Sequence, residues 1–167
     1  MKLKEILSEN RSEREEGTKV TKIALTASLM HDAEAQAKEL QKPRRQRSFH
    51  YIIGCDGQVV RSVPEEFRAW SAQNRKLDSE AVTILVCTKG IPECTVTPEA
   101  WDALVSLCAD LCKRYKVNPC YVWQNTGTFV LYFVGAYIKN HMQALTNDII
   151  EVIAKEKAAK RKGGTKK

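Results

Sequence analysis

The sequence predicts a single α/β domain with a mixed central β-sheet flanked by helices, together with extra N- and C-terminal helices. Its 167 residues, 43% hydrophobic and 28% charged, suit one globular core. Short β-branched apolar segments alternate along the chain with segments of helical spacing, which is typical of an α/β sheet. An Asp-Gly turn between two of the apolar segments predicts a hairpin, so the sheet should be mixed.

The first elements are predicted from hydrophobic spacing. Leu3, Ile6 and Leu7 are spaced as in a helix and precede a polar stretch, so residues 1–19 are interpreted as an N-terminal helix and linker. Val20–Leu25 is a predicted strand, and His31–Gln41 is a predicted helix.

A basic segment and the hairpin come next. Lys42–Arg47 carries four positive charges in six residues and is either a solvated connection or a clamp for an anion. Phe49–Ile53 and Gln58–Ser62 flank the Cys55-Asp56-Gly57 turn and predict the two strands of the hairpin.

The second half of the chain contains the best-defined helix. Val82–Cys87 is almost continuously apolar and predicts a central strand. Thr97 as N-cap and Pro98 at the first helical position open a helix that runs to Tyr115. The remaining predicted elements are strands at Cys120–Trp123 and Phe129–Val134 and helical residues Tyr137–Lys160, interrupted near Thr146–Asp148.

The net charge of +7 is concentrated at the C-terminus. From Lys155 onward there are seven basic residues and one acidic residue, a net +6, so the domain body at 20–154 is almost neutral. Residues 155–167 are interpreted as a disordered, solvated tail, with nonspecific attraction to polyanions as the alternative, and a nucleic-acid partner is not expected. The chain lacks an apolar run of about 20 residues and its N-terminus is charged, which predicts a cytoplasmic protein without a membrane partner.

No catalytic or metal-binding constellation is apparent. The six cysteines are interpreted as reduced thiols, because no histidine lies near Cys108, Cys112 or Cys120 in the sequence. The three histidines fall in different predicted elements, and the carboxylates of Asp56, Asp78 and Glu80 are interpreted as solvated or capping groups.

Four strings around the hairpin carry a family resemblance: Ser48-Phe49-His50-Tyr51-Ile52-Ile53, Asp56-Gly57-Gln58-Val59-Val60, Val63-Pro64-Glu65 and Ala69-Trp70-Ser71-Ala72. In order and spacing they resemble the zinc-dependent N-acetylmuramoyl-L-alanine amidases and the peptidoglycan recognition proteins, with the phage endolysin branch closest. The resemblance covers roughly residues 20–125.

The resemblance implies where a zinc ion and its supporting groups would lie. The ligand positions correspond to Ala24, to Gln124 or Asn125, and to Leu131 or Tyr132, none of which is a competent zinc ligand. The supporting tyrosine and carboxylate correspond to Phe49 and Leu85, and the histidine of the family's A-W-H-A-G string corresponds to Ser71. The interpretation is a catalytically inactive protein without zinc, without another cofactor and without catalytic residues.

The resemblance also implies a substrate cleft, which in this chain would be lined by hydrogen-bonding side chains and one aromatic side chain. The candidate lining residues are Thr26, Ser28, His50, Trp70, Ser71, Gln73, Asn74, Arg75, Gln124 and Asn125. Arg44, Arg45, Arg47 and Arg75 would bring bidentate donors for a carboxylate or phosphate to the rim. Alternatively, these are exposed loop residues without a ligand, and His50 is a hydrogen-bonded strut.

The resulting hypothesis is a phage protein that binds or sequesters a small ligand, either a muropeptide or a phosphorylated nucleotide signal. Two alternatives stay open: an active amidase or other hydrolase with unrecognised ligands, and a protein-interaction module that uses its terminal helices. Phe129–Val134 is too apolar to be exposed, so it is covered either by the C-terminal helix or by a second copy in a homodimer.

Overall fold

The computed structural model describes residues 3–72, 74–90, 94–119, 122–124 and 137–163. The strands in chain order are β1 (Leu3–Glu5), β2 (Arg11–Glu13), β3 (Lys22–Ser28), β4 (Tyr51–Ile53), β5 (Val59–Arg61), β6 (Phe67–Ala69), β7 (Ala81–Cys87) and β8 (Val122–Gln124). The helices are α1 (Ala33–Leu40), α2 (Arg75–Glu80), α3 (Pro98–Tyr115) and α4 (Met142–Gly163), with a 3₁₀ turn at Pro43–Arg45 and helical residues at 137–140.

The described strands form one six-stranded sheet and a separate two-stranded ribbon. The order in the sheet is β1-β5-β4-β7-β3-β8, and β2 pairs with β6 in the antiparallel ribbon. Within the sheet β4 and β5 are antiparallel and the other neighbouring pairs are parallel. The predicted mixed α/β domain, the hairpin and the central position of β7 are therefore confirmed.

The two faces of the sheet bury different sets of side chains. Ile23, Leu25, Ile53 and Ile84 point to the face that packs against α3 and α4. The opposite face carries Ile52, Val60, Leu85 and Cys87 and packs against Ala33, Ala37 and Leu40 of α1. Because side chains alternate along a strand, the fully buried β7 contributes to both cores.

The N-terminal residues form a strand where a helix was predicted. Leu3–Glu5 pairs in parallel with β5, and the ladder continues through hydrogen bonds from the Ile6 and Ser8 amides to the Arg61 and Ser62 carbonyls. A helix of so few residues cannot offset its own nucleation cost, whereas the free edge of β5 supplies hydrogen-bond partners at once. The helical prediction for this segment is wrong.

The C-terminal helix differs from its prediction in two places. The predicted break at Thr146–Asp148 is absent, because α4 runs through it, and the helical spacing is interrupted at His141 instead. Asp148 does not cap a new helix but accepts a hydrogen bond from the Trp101 indole at 2.8 Å. The helix also continues to Gly163, so the basic residues from Lys155 to Lys162 lie on a helix and not in a disordered tail.

Some sequence predictions lie outside the described residues. These include the strand at Phe129–Val134, with its question of helix cover or dimerisation, and Cys120. Within the described residues, no helix combines the length and the apolarity needed to cross a lipid bilayer.

Candidate functional site

Two of the positions that the resemblance assigns to zinc chemistry, Ala24 and Leu85, lie on the sheet face that α1 partly covers. Ala24 is in register with Thr83 of β7, and Leu85 is in register with Thr26 of β3 and Ile52 of β4. Paired residues of neighbouring strands point to the same face, so all of these side chains share it. Ala24 is 2% and Leu85 is 4% exposed. At these two positions the face therefore presents a methyl group and an isobutyl group, beside the side chains of Thr26 and Thr83.

His50 lies on the same face and is completely buried. Its Nδ1 accepts a hydrogen bond from the Thr83 amide at 3.0 Å, which leaves Nε2 to donate to the Phe67 carbonyl at 3.0 Å. Burial, followed by the nearby charge of Arg14, lowers the pKa of His50 to about 4. The neutral imidazole thus joins three strands and does not reach a ligand, which agrees with the strut interpretation.

Arg14, from the N-terminal segment, packs beside His50. Its guanidinium donates to the backbone carbonyls of Glu65 at 2.9 Å and Ala81 at 3.1 Å, and to the carbonyl of Ser79. Burial lowers the pKa of Arg14, although nearby acidic groups oppose the shift. The sequence contained no signal for this role, because Arg14 is one charge within a polar stretch.

Trp70 and Ser71 are held by the segments around them. The Trp70 amide donates to the Ser48 hydroxyl at 2.9 Å, and its indole nitrogen donates to the Ser12 hydroxyl at 3.0 Å. Ser71 is buried, and its hydroxyl donates to Asp78 at 2.6 Å. Asp78 also accepts from the Ala72 amide at 2.9 Å, so this carboxylate organises the turn after β6.

Arg47 and Asn74 adjoin this turn. Arg47 Nη2 donates to the Ser71 carbonyl at 3.0 Å. Burial lowers the pKa of Arg47, and the negative charge of Asp78 partly offsets this decrease. Asn74 is the N-cap of α2, where its side chain accepts from the Leu77 amide at 3.1 Å. Arg47, Trp70, Ser71 and Asn74 therefore form one neighbourhood, which we call the α2 turn.

The other predicted arginines form exposed ion pairs. Arg45 Nε contacts Glu39 at 2.9 Å and Arg44 lies 3.7 Å from the same carboxylate, so both belong to the end of α1. Arg75 Nε contacts Glu15 at 2.8 Å, and its side chain is 74% exposed. Exposed pairs of this kind contribute little free energy, and these guanidinium groups remain accessible to an anion.

The predicted cleft residues do not form one cluster. The α2 turn lies where β4 and β7 begin, because Arg47 precedes β4 and α2 leads directly into β7. Ser28 lies at the far end of the seven-residue β3, about 20 Å along the strand from Lys22, which pairs with the start of β7. Gln124 ends β8 in register with Leu25, midway along β3, while Gln73 and Asn125 lie outside the described residues.

Sequence reasoning missed a carboxylate network on the other face of the sheet. Glu65 accepts hydrogen bonds from the hydroxyls of Tyr51 and Tyr115 and from both terminal nitrogens of Arg114, at 2.6 and 2.8 Å. Burial opposes ionisation of Glu65, but these hydrogen bonds outweigh it and lower the pKa to about 2. The network joins the hairpin region to the end of α3, and its role is to stabilise the packing between them.

Metal-ligating side chains are dispersed in the described part of the chain. No group of three or more histidine, cysteine, aspartate or glutamate residues there is arranged to hold a metal ion. Cys108 and Cys112 are buried in the α3 core, where burial raises the pKa of both thiols. These cysteines therefore behave as small apolar side chains.

Comparison with known proteins identifies related chains. A family model described as N-acetylmuramoyl-L-alanine amidase matches residues 17–156. A search of curated proteins gives no match.

Several solved structures share the fold. PlyL superimposes with a TM-score of 0.72 at 15% identity, covering 89% of this chain and 97% of that one. A mutant endolysin from Bacillus subtilis gives 0.71 at 15% identity, covering 89% and 99%. The N-acetylmuramoyl-L-alanine amidase LysC from Clostridium intestinale URNW gives 0.61 at 17% identity, covering 83% and 98%.

Proposed function

The chain belongs to the N-acetylmuramoyl-L-alanine amidase family, and from this membership we propose that it is a member that binds a small ligand without zinc-dependent amide hydrolysis. The proposal has two parts, one about the metal and one about the ligand. Each part has its own support and its own experiment.

The observation that carries the first part is the apolar character of two of the positions assigned to zinc chemistry, Ala24 and Leu85. A zinc ion needs nitrogen, sulfur or carboxylate donors. The side chains of Ala24 and Leu85 provide no lone pair and are buried, so the described residues at these positions do not fit a zinc ion. His50 does not replace them, since both of its ring nitrogens are used by the backbone.

The second part concerns the α2 turn together with Arg75. Trp70 is partly exposed, Arg47 bonds to the carbonyl of the following Ser71, and Arg75 follows Asn74 directly, so an indole and two guanidinium groups belong to the same turn. This combination suits a ligand with a ring next to an anionic group, stacked on the indole and paired with a guanidinium. A muropeptide and a phosphorylated nucleotide both have this chemistry.

The metal part is tested by elemental analysis and an activity assay. We expect purified protein to contain no stoichiometric zinc and to release no peptide from peptidoglycan, because Ala24 and Gln124 cannot supply the imidazole, thiolate or carboxylate ligands that zinc needs. An active endolysin assayed in parallel verifies the substrate. One zinc per chain together with cleavage that a chelator abolishes would establish the competing function, an active amidase, which family membership favours.

The ligand part is tested by calorimetry with two panels, muropeptides and cyclic or ADP-ribose-type nucleotides. For whichever panel binds, Trp70→Ala and Arg75→Ala should each weaken binding about ten- to a hundredfold, at about 1.4 kcal/mol per decade. Lys155→Ala is the matched control, since its side chain is 73% exposed and also forms a surface ion pair, with Glu151.

If neither panel binds, or if both variants bind as the wild type does, the ligand part is wrong. The protein-interaction alternative would then be the next one to test. Neither outcome affects the metal part, which the zinc measurement decides independently.

A further inference from the structure

A groove of about 680 Å³ lies between the C-terminal end of α3 and the middle of α4. Cys112, Val117, Ile150 and Ile153 supply its apolar lining, and lysine side chains stand at its rim. It is separate from the α2 turn, so a ligand in this groove would be independent of the proposed function.

The groove exists because the two helices end at different points. α3 stops at Tyr115, where Lys116 adopts a positive φ of 56° and turns the chain away. α4 continues, with Leu145 and Ile149 buried but Ile150 48% exposed. After Ile153 every residue from 154 to 161 is exposed. Within the described residues, α3 therefore covers this apolar stripe of α4 only in part.

The charged side chains that line the groove are all lysines. Lys113 is paired with Glu156 across the two helices. Lys116 and Lys157 also line the groove, and within the described chain their ammonium groups make no ion pair or side-chain hydrogen bond. None of the described lining residues is acidic. An apolar surface with two unpaired cations beside it matches a ligand that has an apolar body and one negative charge.

We propose that this groove binds the anion of a medium-chain fatty acid. The acyl chain lies on Val117, Ile150 and Ile153, and the carboxylate pairs with the ammonium groups of Lys116 and Lys157. The volume is within the range of roughly 300–1,000 Å³ that small-molecule sites occupy. From Ile150 to Lys157 the helix advances about 10 Å, which limits the ligand to a short acyl chain.

The direct test is an NMR titration of the full chain, first with octanoate and separately with octan-1-ol. Octanoate should bind saturably with a Kd at or below about 1 mM, while the alcohol, which lacks the charge, should bind at least about tenfold more weakly. Failure of octanoate to saturate, or equal affinity for the alcohol, overturns the proposal.

Variants separate the two components of the site. Lys116→Gln combined with Lys157→Gln should weaken octanoate binding about tenfold and leave octan-1-ol binding unchanged. Ile150→Ser should weaken both ligands, and because this side chain is half exposed the variant should still fold. Lys155→Gln is the control on the same helix, since Lys155 pairs with Glu151 and does not line the groove. An equal loss in Lys155→Gln overturns the assignment to this groove.

A membrane surface is the competing occupant, because α4 is basic beyond the groove. Sedimentation with phosphatidylglycerol vesicles distinguishes the two. Co-sedimentation that depends on Lys116 and Lys157, without saturable octanoate binding, would assign these residues to a lipid surface and overturn the proposal. Octanoate binding without co-sedimentation supports it.

Discussion

At the scale of single residues, His50 shows how burial determines protonation. The imidazole is fully buried, donates to the Phe67 carbonyl and accepts from the Thr83 amide, and no carboxylate among the described residues bonds to it. Arg14 Nη2 lies 3.0 Å from its Nε2. Burial and the adjacent Arg14 both disfavour the charged form, which explains the pKa of about 4.

This environment predicts acid sensitivity. An unfolded chain protonates His50 near pH 6.5, but the folded chain excludes that proton until about pH 4. The contribution of neutral His50 to the free energy of unfolding is therefore fully present above pH 6.5. It is lost as the pH falls from 6.5 to 4, which lowers that free energy by about 3 kcal/mol. The measurement is the free energy of unfolding by urea at several pH values in that window.

The matched variants are His50→Asn and His31→Asn. The first should lower stability at pH 7 and flatten the pH slope, because the titrating group is gone. The second replaces an exposed histidine and should keep the slope. If His50→Asn retains the wild-type slope, other groups carry the acid sensitivity.

At the scale of elements, the hairpin turn is coupled to α3. Gly57 has a φ of +77°, and its amide donates to the Gly54 carbonyl at 3.0 Å. A Cβ at this position would lie 2.8 Å from the carbonyl oxygen of Glu99, in the first turn of α3. The Asp-Gly signal that predicted the turn therefore also permits the helix to pack against it.

Gly57→Ala should lower the free energy of unfolding by about 2–3 kcal/mol, from the strained φ and from the close backbone contact. Gly17→Ala is the control, since Gly17 has a φ of +76° but a Cβ at this position would meet no atom within 4 Å. Gly17→Ala should lower the free energy of unfolding by only about 1 kcal/mol. Equal losses in chemical denaturation would show that the contact with Glu99 contributes nothing.

At the scale of the whole molecule, the N-terminal segment is an integral part of the domain. β1 extends the central sheet, β2 forms the ribbon with β6, and Arg14 donates to the carbonyls of four residues in the body of the fold. Trp70 is tied to the same segment through Ser12. The region around the α2 turn is thus bounded by residues that precede the first predicted strand.

The sequence by itself determined the elements whose signals are local. The Asp-Gly turn, the apolar run of β7 and the Thr97-Pro98 start of α3 are all confirmed, because backbone preference and side-chain periodicity act within a few residues. The order of motifs along the chain was also sufficient to identify the family.

Only the tertiary structure decided the features that depend on distant partners. Leu3–Glu5 is a strand because the edge of β5 is available. The helix break at Thr146–Asp148 is absent, and α4 instead packs Leu145 and Ile149 into the core while Asp148 accepts a hydrogen bond from Trp101. The predicted cleft residues lie apart, with Ser28 at the far end of β3 from the α2 turn, because the order and register of distant strands in the sheet set which residues become neighbours. Arg14 acquires its role in the same way, since its acceptors come from segments about 50 to 70 positions away.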